Sequence, residues 1–242
     1  RIEQACDIGG GEQACGGVIN IFKQPNLLVN RFGKRIMNED YMQNTTYLSN
    51  VADHQKDKTV FSIVDTSIVK YYVKHGVDVT SLVTPNPDVS DFYEGMETLL
   101  NHGSKNFFKA DSLEELAEKI EVDPETLKET VDNYNYFCDS KDFEFFKDSK
   151  YLRPLFKAPF YACAIHPGGY GTVGGVRINE NCEACDKEFM PIPGLYCAGA
   201  DSCNIYDDSY MFLLPGNSMG YAVNTGRISA MSAVEYVNKN VK

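Results

Sequence analysis

Basic charge is scarce in this sequence. The 242-residue chain has 23 lysines and arginines against 34 aspartates and glutamates, a formal net charge of −11. Nucleic-acid backbones are gripped by clustered Lys and Arg, so nucleic acid is excluded as a partner. Long hydrophobic runs are missing too. No stretch of about 18 apolar residues occurs, so no segment reads as a membrane-spanning helix. Histidine is rare, at positions 54, 75, 102 and 166, in no ligand spacing. The one Cys-x-x-Cys, Cys182 and Cys185, has no second pair to complete a zinc or iron–sulfur site, so no metal is expected. Repeats and low-complexity tracts are absent. The chain opens on Arg1 with neither Met nor a signal-peptide pattern. A piece of a longer protein is expected, and its compartment stays unassigned.

Apolar residues make up 43% of the chain, ample for a core. Its eight cysteines are scattered, and reduced, mostly buried thiols are expected, with Cys182 and Cys185 in a surface hairpin. Short strands are predicted at 27–30 and 35–37 around a turn at Gly33. Residues 58–65 are apolar and β-branched, a strand, and 66–76 read as a helix stopped by Gly76. Helices follow near 91–103, from Ser112 with its capping partner Glu115, and from Asp123–Pro124 with Leu127, Val131, Tyr134 and Cys138 on one face. Residues 141–160 are polar-aromatic and irregular. From about 158 charges thin and glycines multiply. Strands are expected at 174–178 and, buried, at 194–200. A terminal helix from about Gly216 is expected to turn Met219, Val223, Gly226, Ala230, Ala233 and Val237 inward. This pattern predicts three stretches: 1–20, an α+β module at 21–157, and 158–242.

Residues 166–178, HPGGYGTVGGVRI, place Gly169, Gly171 and Gly174 in G-x-G-x-x-G spacing. A dinucleotide loop needs a strand before it and a helix after it, so that helix amides face the phosphates. Here a β-branched strand follows and Pro167 stands in front, so the spacing is not read as a phosphate loop. Gly216, Asn217 and Ser218 do open a helix. Their amides suit an anion, and a plain N-cap explains them equally well.

The segments PIPGLYCAGAD and PGNSMGYAVNTGRISA resemble the C-terminal end of the fumarate reductase and succinate dehydrogenase flavoproteins, the FAD-dependent oxidoreductase type 2 group. LLVNRFGKRIMNED is similar to that family's entry into its capping domain, and YLRPLFKAPFYA to the exit. The resemblance spans nearly the whole chain in order. It implies an α+β capping domain at 21–157, joined to the C-terminal strands and helix of an α/β, glutathione-reductase-like FAD-binding domain at 158–242, with residues 1–20 ending that domain's first segment. It also implies that a nucleotide-binding half precedes the cap and is lacking here, so that this piece alone binds FAD weakly.

The implied cofactor is FAD. Gly199, Ala200 and Asp201 would meet its ribityl region, and Gly216, Asn217, Ser218 and Met219 the pyrimidine edge of its ring. A helix N-terminus suits the negative charge of that edge. The family's dicarboxylate-handling groups do not carry over. Gln43 stands where fumarate reductases have a proton-donating arginine, Gly171 where a histidine precedes Thr172, and Leu213 near a carboxylate-clamping arginine. Fumarate is therefore not the expected substrate. Gln43, Gly171, Thr172, Phe212 and Leu213 are expected to line a more apolar, phenolic cavity. Tyr210 and Tyr170 are the candidate proton donors, Tyr210 first. The reading is hydride transfer through FAD to or from an activated C=C bond of a larger, less charged enone, enoate or steroid-like molecule, with the electron donor unassigned. An inactive flavin-binding or partner-docking module is the alternative.

Overall fold

The computed structural model describes residues 2–3, 15–80, 87–168, 174–202, 204–206, 214 and 216–240. Packing divides the chain into two units, Arg1–Gly168 and Gly169–Lys242.

The first unit is built on an antiparallel sheet. Its strands are β1 (Ile2–Glu3), β2 (Leu27–Asn30), β3 (Val60–Asp65), β4 (Phe107–Ala110) and β5 (Phe160–Pro167). β5 is central, with β3, β4 and β1 all paired to it, and β2 lies beyond β3. A central strand is buried on both faces, and β5 satisfies this with FYACAI, six consecutive buried residues. Alternation puts Phe61, Ile63, Ala162, Ala164 and Phe108 on one face and Ser62, Val64, Tyr161, Cys163 and Phe107 on the other.

Helices α1 (Gly16–Phe22) and α4 (Phe92–Asn101) cover the second face. Phe22 packs on Phe92 and Phe107 with centroids 6.1 and 5.9 Å away, and Phe92 meets Tyr161 edge-on at 5.3 Å. Helices α2 (Thr45–Asp53) and α3 (Thr66–His75) flank the sheet, and α5 (Leu113–Lys119) with α6 (Pro124–Cys138) completes the unit. The helix starts follow their caps. Asp65 accepts the Ile68 amide at 2.9 Å, Ser112 that of Glu115 at 3.0 Å and Asp123 that of Thr126 at 2.8 Å. Gly76 ends α3 with φ +82.

The second unit holds a hairpin of β6 (Glu183–Cys185) and β7 (Pro191–Tyr196), followed by α7 (Asn217–Asn240).

The structure corrects six expectations. The strand at 35–37 shrinks to one bridge, Val29 with Arg35, because Arg35 turns into a buried ion cluster. Residues 160–167, read as part of the returning segment, form the central strand of the first unit. The strand at 174–178 is only two bridges, Gly175 with Ser202 and Ile178 with Ala184. The strand expected at 194–200 runs instead from Pro191 to Tyr196 and is largely exposed, because Gly199 breaks the extended path at φ +64. The stripe assigned to the inside of α7 faces out, with Met219 70% and Val223 66% exposed. The face that packs carries Tyr221, Thr225 and Tyr236, which make the contacts to β7 and the turn after it. Of the cysteine pair, Cys182 is buried rather than at the surface.

Candidate cofactor and substrate site

The glycine stretch enters the structure at both ends. β5 delivers His166 and Pro167, and Gly174 leads into the Gly175–Ser202 bridge. Bridges at Gly175 and Ile178, not a helix, come directly after Gly174. That context disagrees with a phosphate loop. Tyr170, Gly171 and Thr172, like Tyr210, Phe212 and Leu213, lie outside the described residues.

Gly199, Ala200 and Asp201 form one 3-10 turn directly after β7. Ala198 is still extended, and Gly199 reverses the chain at φ +64, a conformation that favours glycine. A Cβ at Gly199 would sit 3.4 Å from the Ala222 Cβ, so the missing side chain also lets the turn lie against α7. Two hydrogen bonds fasten turn to helix, linked by a third within the helix. The Gly199 amide donates to Thr225 Oγ1 at 2.9 Å, the Thr225 hydroxyl donates to the Tyr221 carbonyl at 2.7 Å, and the Tyr221 hydroxyl donates to the Ser202 carbonyl at 2.9 Å. Ser202 is fully buried, while Ala200 and the Asp201 carboxylate are exposed.

The start of α7 is the other half of the arrangement. Gly216, at φ +74, turns the chain into the helix, and its amide-bearing neighbours follow in order: Asn217, Ser218, Met219. The Asn217 carboxamide donates to the Leu214 carbonyl at 2.8 Å and accepts from the hydroxyl of buried Tyr206. Gly220 N–H donates to the Gly216 carbonyl at 2.8 Å in the first turn of the helix. A Cβ at Gly216 would meet nothing within 4 Å. The 24-residue helix thus presents the positive end of its dipole at an open glycine, beside exposed apolar Met219 and Val223. The positive end of a helix dipole next to an apolar face suits a planar ring system with one electron-rich polar edge. The residues present therefore fit the flavin that the sequence resemblance implies.

Thr225 and Tyr221, which hold this junction together, were not singled out as site residues. The spacing of Tyr221 and Thr225, four apart on one helix face, was the signal available.

Gln43 belongs to the first unit. Its carboxamide is half-buried and donates to the Lys23 carbonyl at 3.0 Å. The backbone ahead of it is pinned by buried charge. Arg35 binds Glu39 through two nitrogens, at 3.0 and 2.8 Å, and Asp142 through two more contacts, at 3.1 and 2.8 Å. Its guanidinium also lies over the Tyr134 and Phe145 rings. Burial alone would lower the Arg35 pKa, but its hydrogen bonds to the two carboxylates outweigh that and raise it. Burial likewise opposes the charge on Asp142, yet the Arg35 hydrogen bonds and the Lys147 and Phe145 amides hold it down at about 2. Lys147 completes the cluster. Its Nζ donates to the Pro25 carbonyl at 2.5 Å and to Tyr134 Oη at 2.9 Å and lies 3.6 Å from Glu39, while burial lowers its pKa.

The profile of the family described as FAD binding domain matches residues 13–219. A vinyl phenol reductase of Lactiplantibacillus plantarum is 29% identical over 220 residues, covering 90% of this chain and 44% of the reductase. A fumarate reductase (cytochrome) of Shewanella frigidimarina is 28% identical over 214 residues, covering 88% of this chain and 33% of that enzyme. The chain thus spans less than half the length of these relatives. Among solved structures, a flavocytochrome c3 fumarate reductase in an open conformation superposes with a TM-score of 0.64 at 23% identity, covering 90% of this chain and 34% of that one. That likeness concerns the fold. With the family profile spanning most of its length, this chain belongs to the FAD binding domain family.

Proposed function

We propose that the protein containing this chain is an FAD-dependent oxidoreductase that reduces, or forms, an activated C=C bond in a small molecule without two carboxylates. FAD, when bound, supplies the hydride chemistry. The remaining roles fall to the chain. Gly199–Asp201 and Gly216–Met219 would hold the cofactor, the first through its exposed turn and the second through the N-terminal end of α7, where helix polarity favours negative charge. Tyr210, with Tyr170 as the second candidate, would give the proton to the carbon opposite the one that receives hydride. Phe212, Leu213, Gly171 and Thr172 would shape the cavity.

The observation that carries the substrate reading is Gln43. A neutral carboxamide already donating to the Lys23 carbonyl neither delivers a proton nor clamps a carboxylate in two-point fashion. The similarity to a vinyl phenol reductase across 90% of the chain supports the same direction. A capping domain over the first 157 residues or so, apart from the leading segment, remains part of this proposal.

The test is anaerobic. The full-length holoprotein is bleached with dithionite and mixed with fumarate, a vinyl phenol, aryl enoates and a steroid enone. Reoxidation by a substrate lacking a second carboxylate, with fumarate slow, is expected. Fastest reoxidation by fumarate overturns the substrate reading, and no reoxidation by any alkene overturns the enzyme reading.

A further inference from the structure

The Cys-x-x-Cys segment has no part in the proposed chemistry, yet the fold gives one of its thiols a partner from a different strand. Cys182 precedes β6, and Cys197 follows β7. In the ladder Glu183 faces Tyr196, so one step outward Cys182 faces Cys197. The Cys197 amide donates to the Cys182 carbonyl at 3.1 Å and closes that end of the hairpin. Facing residues of an antiparallel pair stand about 4.5–5.5 Å apart at Cα. A disulfide spans about 4.4–6.8 Å. Cys182 adopts φ +60, so its side chain leaves the regular alternation of the strand. Burial raises its pKa, and the adjacent Cys197 adds to the effect. Cys185, the sequence neighbour, is directed elsewhere. Its thiol donates to the Glu183 carbonyl at 3.6 Å, beyond a register shift. No group of three potential metal ligands exists among the described residues.

We propose that Cys182 and Cys197 form a cross-strand disulfide by exchange with a low-molecular-weight disulfide. Cys197 is half-buried and Cys182 is buried, which sets the order. The Cys197 thiolate attacks the disulfide RSSR, an S–S bond to R forms, and RS⁻ leaves and takes the thiol proton. Cys182 then attacks the Cys197 sulfur of the mixed disulfide, forming the internal bond and releasing a second RSH. The two cysteines are oxidised by two electrons, and RSSR is reduced to two RSH. The bond lies two residues before Gly199. It fixes β6 to the strand that leads into the Gly199–Asp201 turn, and reduction by a thiol reverses it.

The experiment is a redox titration of the protein with oxidised and reduced glutathione, followed by acid quenching and alkylation. Oxidation is expected to remove about 2 Da and two alkylatable thiols. Non-reducing tryptic digestion is expected to join peptide 178–187 to peptide 188–227. Each of those peptides carries a second cysteine, Cys185 or Cys203. In the Cys185→Ser/Cys203→Ser protein the linkage is expected to persist. Cys182→Ser or Cys197→Ser, each checked for an unchanged melting profile in the reduced state, is expected to abolish it. Absence of the linkage in wild-type protein at full oxidation, or its mapping to Cys185 or Cys203, overturns the proposal. The wild-type map decides this even where a variant fails to fold.

Discussion

Arg35 and Asp142 stand 107 positions apart in sequence and meet through two hydrogen bonds, at 3.1 and 2.8 Å, with both side chains essentially without solvent. Asp142 also accepts the amides of Glu144, Phe145 and Lys147, at 3.0, 3.2 and 3.1 Å. One carboxylate therefore folds the irregular segment after α6 into a loop and clips it to the turn before Gln43. Asp142→Ala leaves the Arg35 guanidinium with half its partners and three amides without an acceptor. Removing one member of a buried ion cluster costs about 3–5 kcal/mol, and that loss is expected in denaturant unfolding. A change below about 1 kcal/mol would show that solvent replaces the carboxylate.

The same carboxylate sets an acid limit. In the folded chain Asp142 titrates at about 2, below the ordinary value of 3.8. A depressed acid contributes stability above its unfolded pKa and loses it as pH falls through the folded one. Its contribution, on the order of 2 kcal/mol, is thus complete above roughly pH 4 and declines between pH 4 and 2. Denaturant midpoints of wild type and Asp142→Asn, measured from pH 6 to pH 2.5, are expected to converge at the acid end. Parallel curves would remove Asp142 as the source.

Gly33 marks a second steric limit in the first unit. It sits at φ +72, and a Cβ there would lie 2.8 Å from Val122 Cγ1 and 3.3 Å from the Leu127 amide nitrogen. Its carbonyl accepts the Thr130 hydroxyl at 2.6 Å, so the turn cannot simply move away from α6. Left-handed strain and overpacking together predict a loss of about 2–4 kcal/mol for Gly33→Ala. Thermal unfolding of the variant measures it, and a midpoint equal to wild type counts against the geometry.

These positions show what was legible in the sequence. Gly33 announced a turn. The starts of α3, α5 and α6 could be read because Asp65, Ser112 and Asp123 act on amides only three residues away. The Asp142 and Lys147 roles could not, because residues 141–157 have no periodicity and their partners, Arg35, Glu39 and Pro25, are remote in sequence. β5 was missed for a related reason. FYACAI is short, uniformly apolar and followed by glycines, so its three antiparallel partners left no alternation to read. In the second unit the helix from Asn217 was legible, but the turn at Gly199, read as the end of a strand, and the orientation of α7 were not. A stripe of Met and Val reads as an inner face, whereas hydroxyl contacts from Tyr221 and Thr225 decide what packs.

The Gly199 turn offers a test of cofactor holding. A β-branched side chain at φ +64 is strained, and its branches would press on Ala222. Gly199→Val in the full-length protein is expected to lower the FAD content of the purified protein and raise the dissociation constant for FAD at least tenfold. Fluorescence titration of the apoprotein reads this directly. Unchanged affinity would place the cofactor away from this turn.

Tyr210 carries the proposed proton transfer, and its test must separate chemistry from cofactor binding. The ring of Tyr210→Phe keeps the shape and apolar area of the side chain and removes only the hydroxyl. General acid catalysis contributes about 10²–10⁴-fold, so kcat is expected to fall by that factor while FAD content and the dithionite-bleached spectrum stay at wild-type values. A solvent deuterium isotope effect present in wild type is expected to change in the variant, because the proton then comes from another group. Tyr170→Phe supplies the comparison. If the large loss follows Tyr170 instead, the donor is reassigned to it. If Tyr210→Phe turns over at the wild-type rate, its hydroxyl has no part in the reaction.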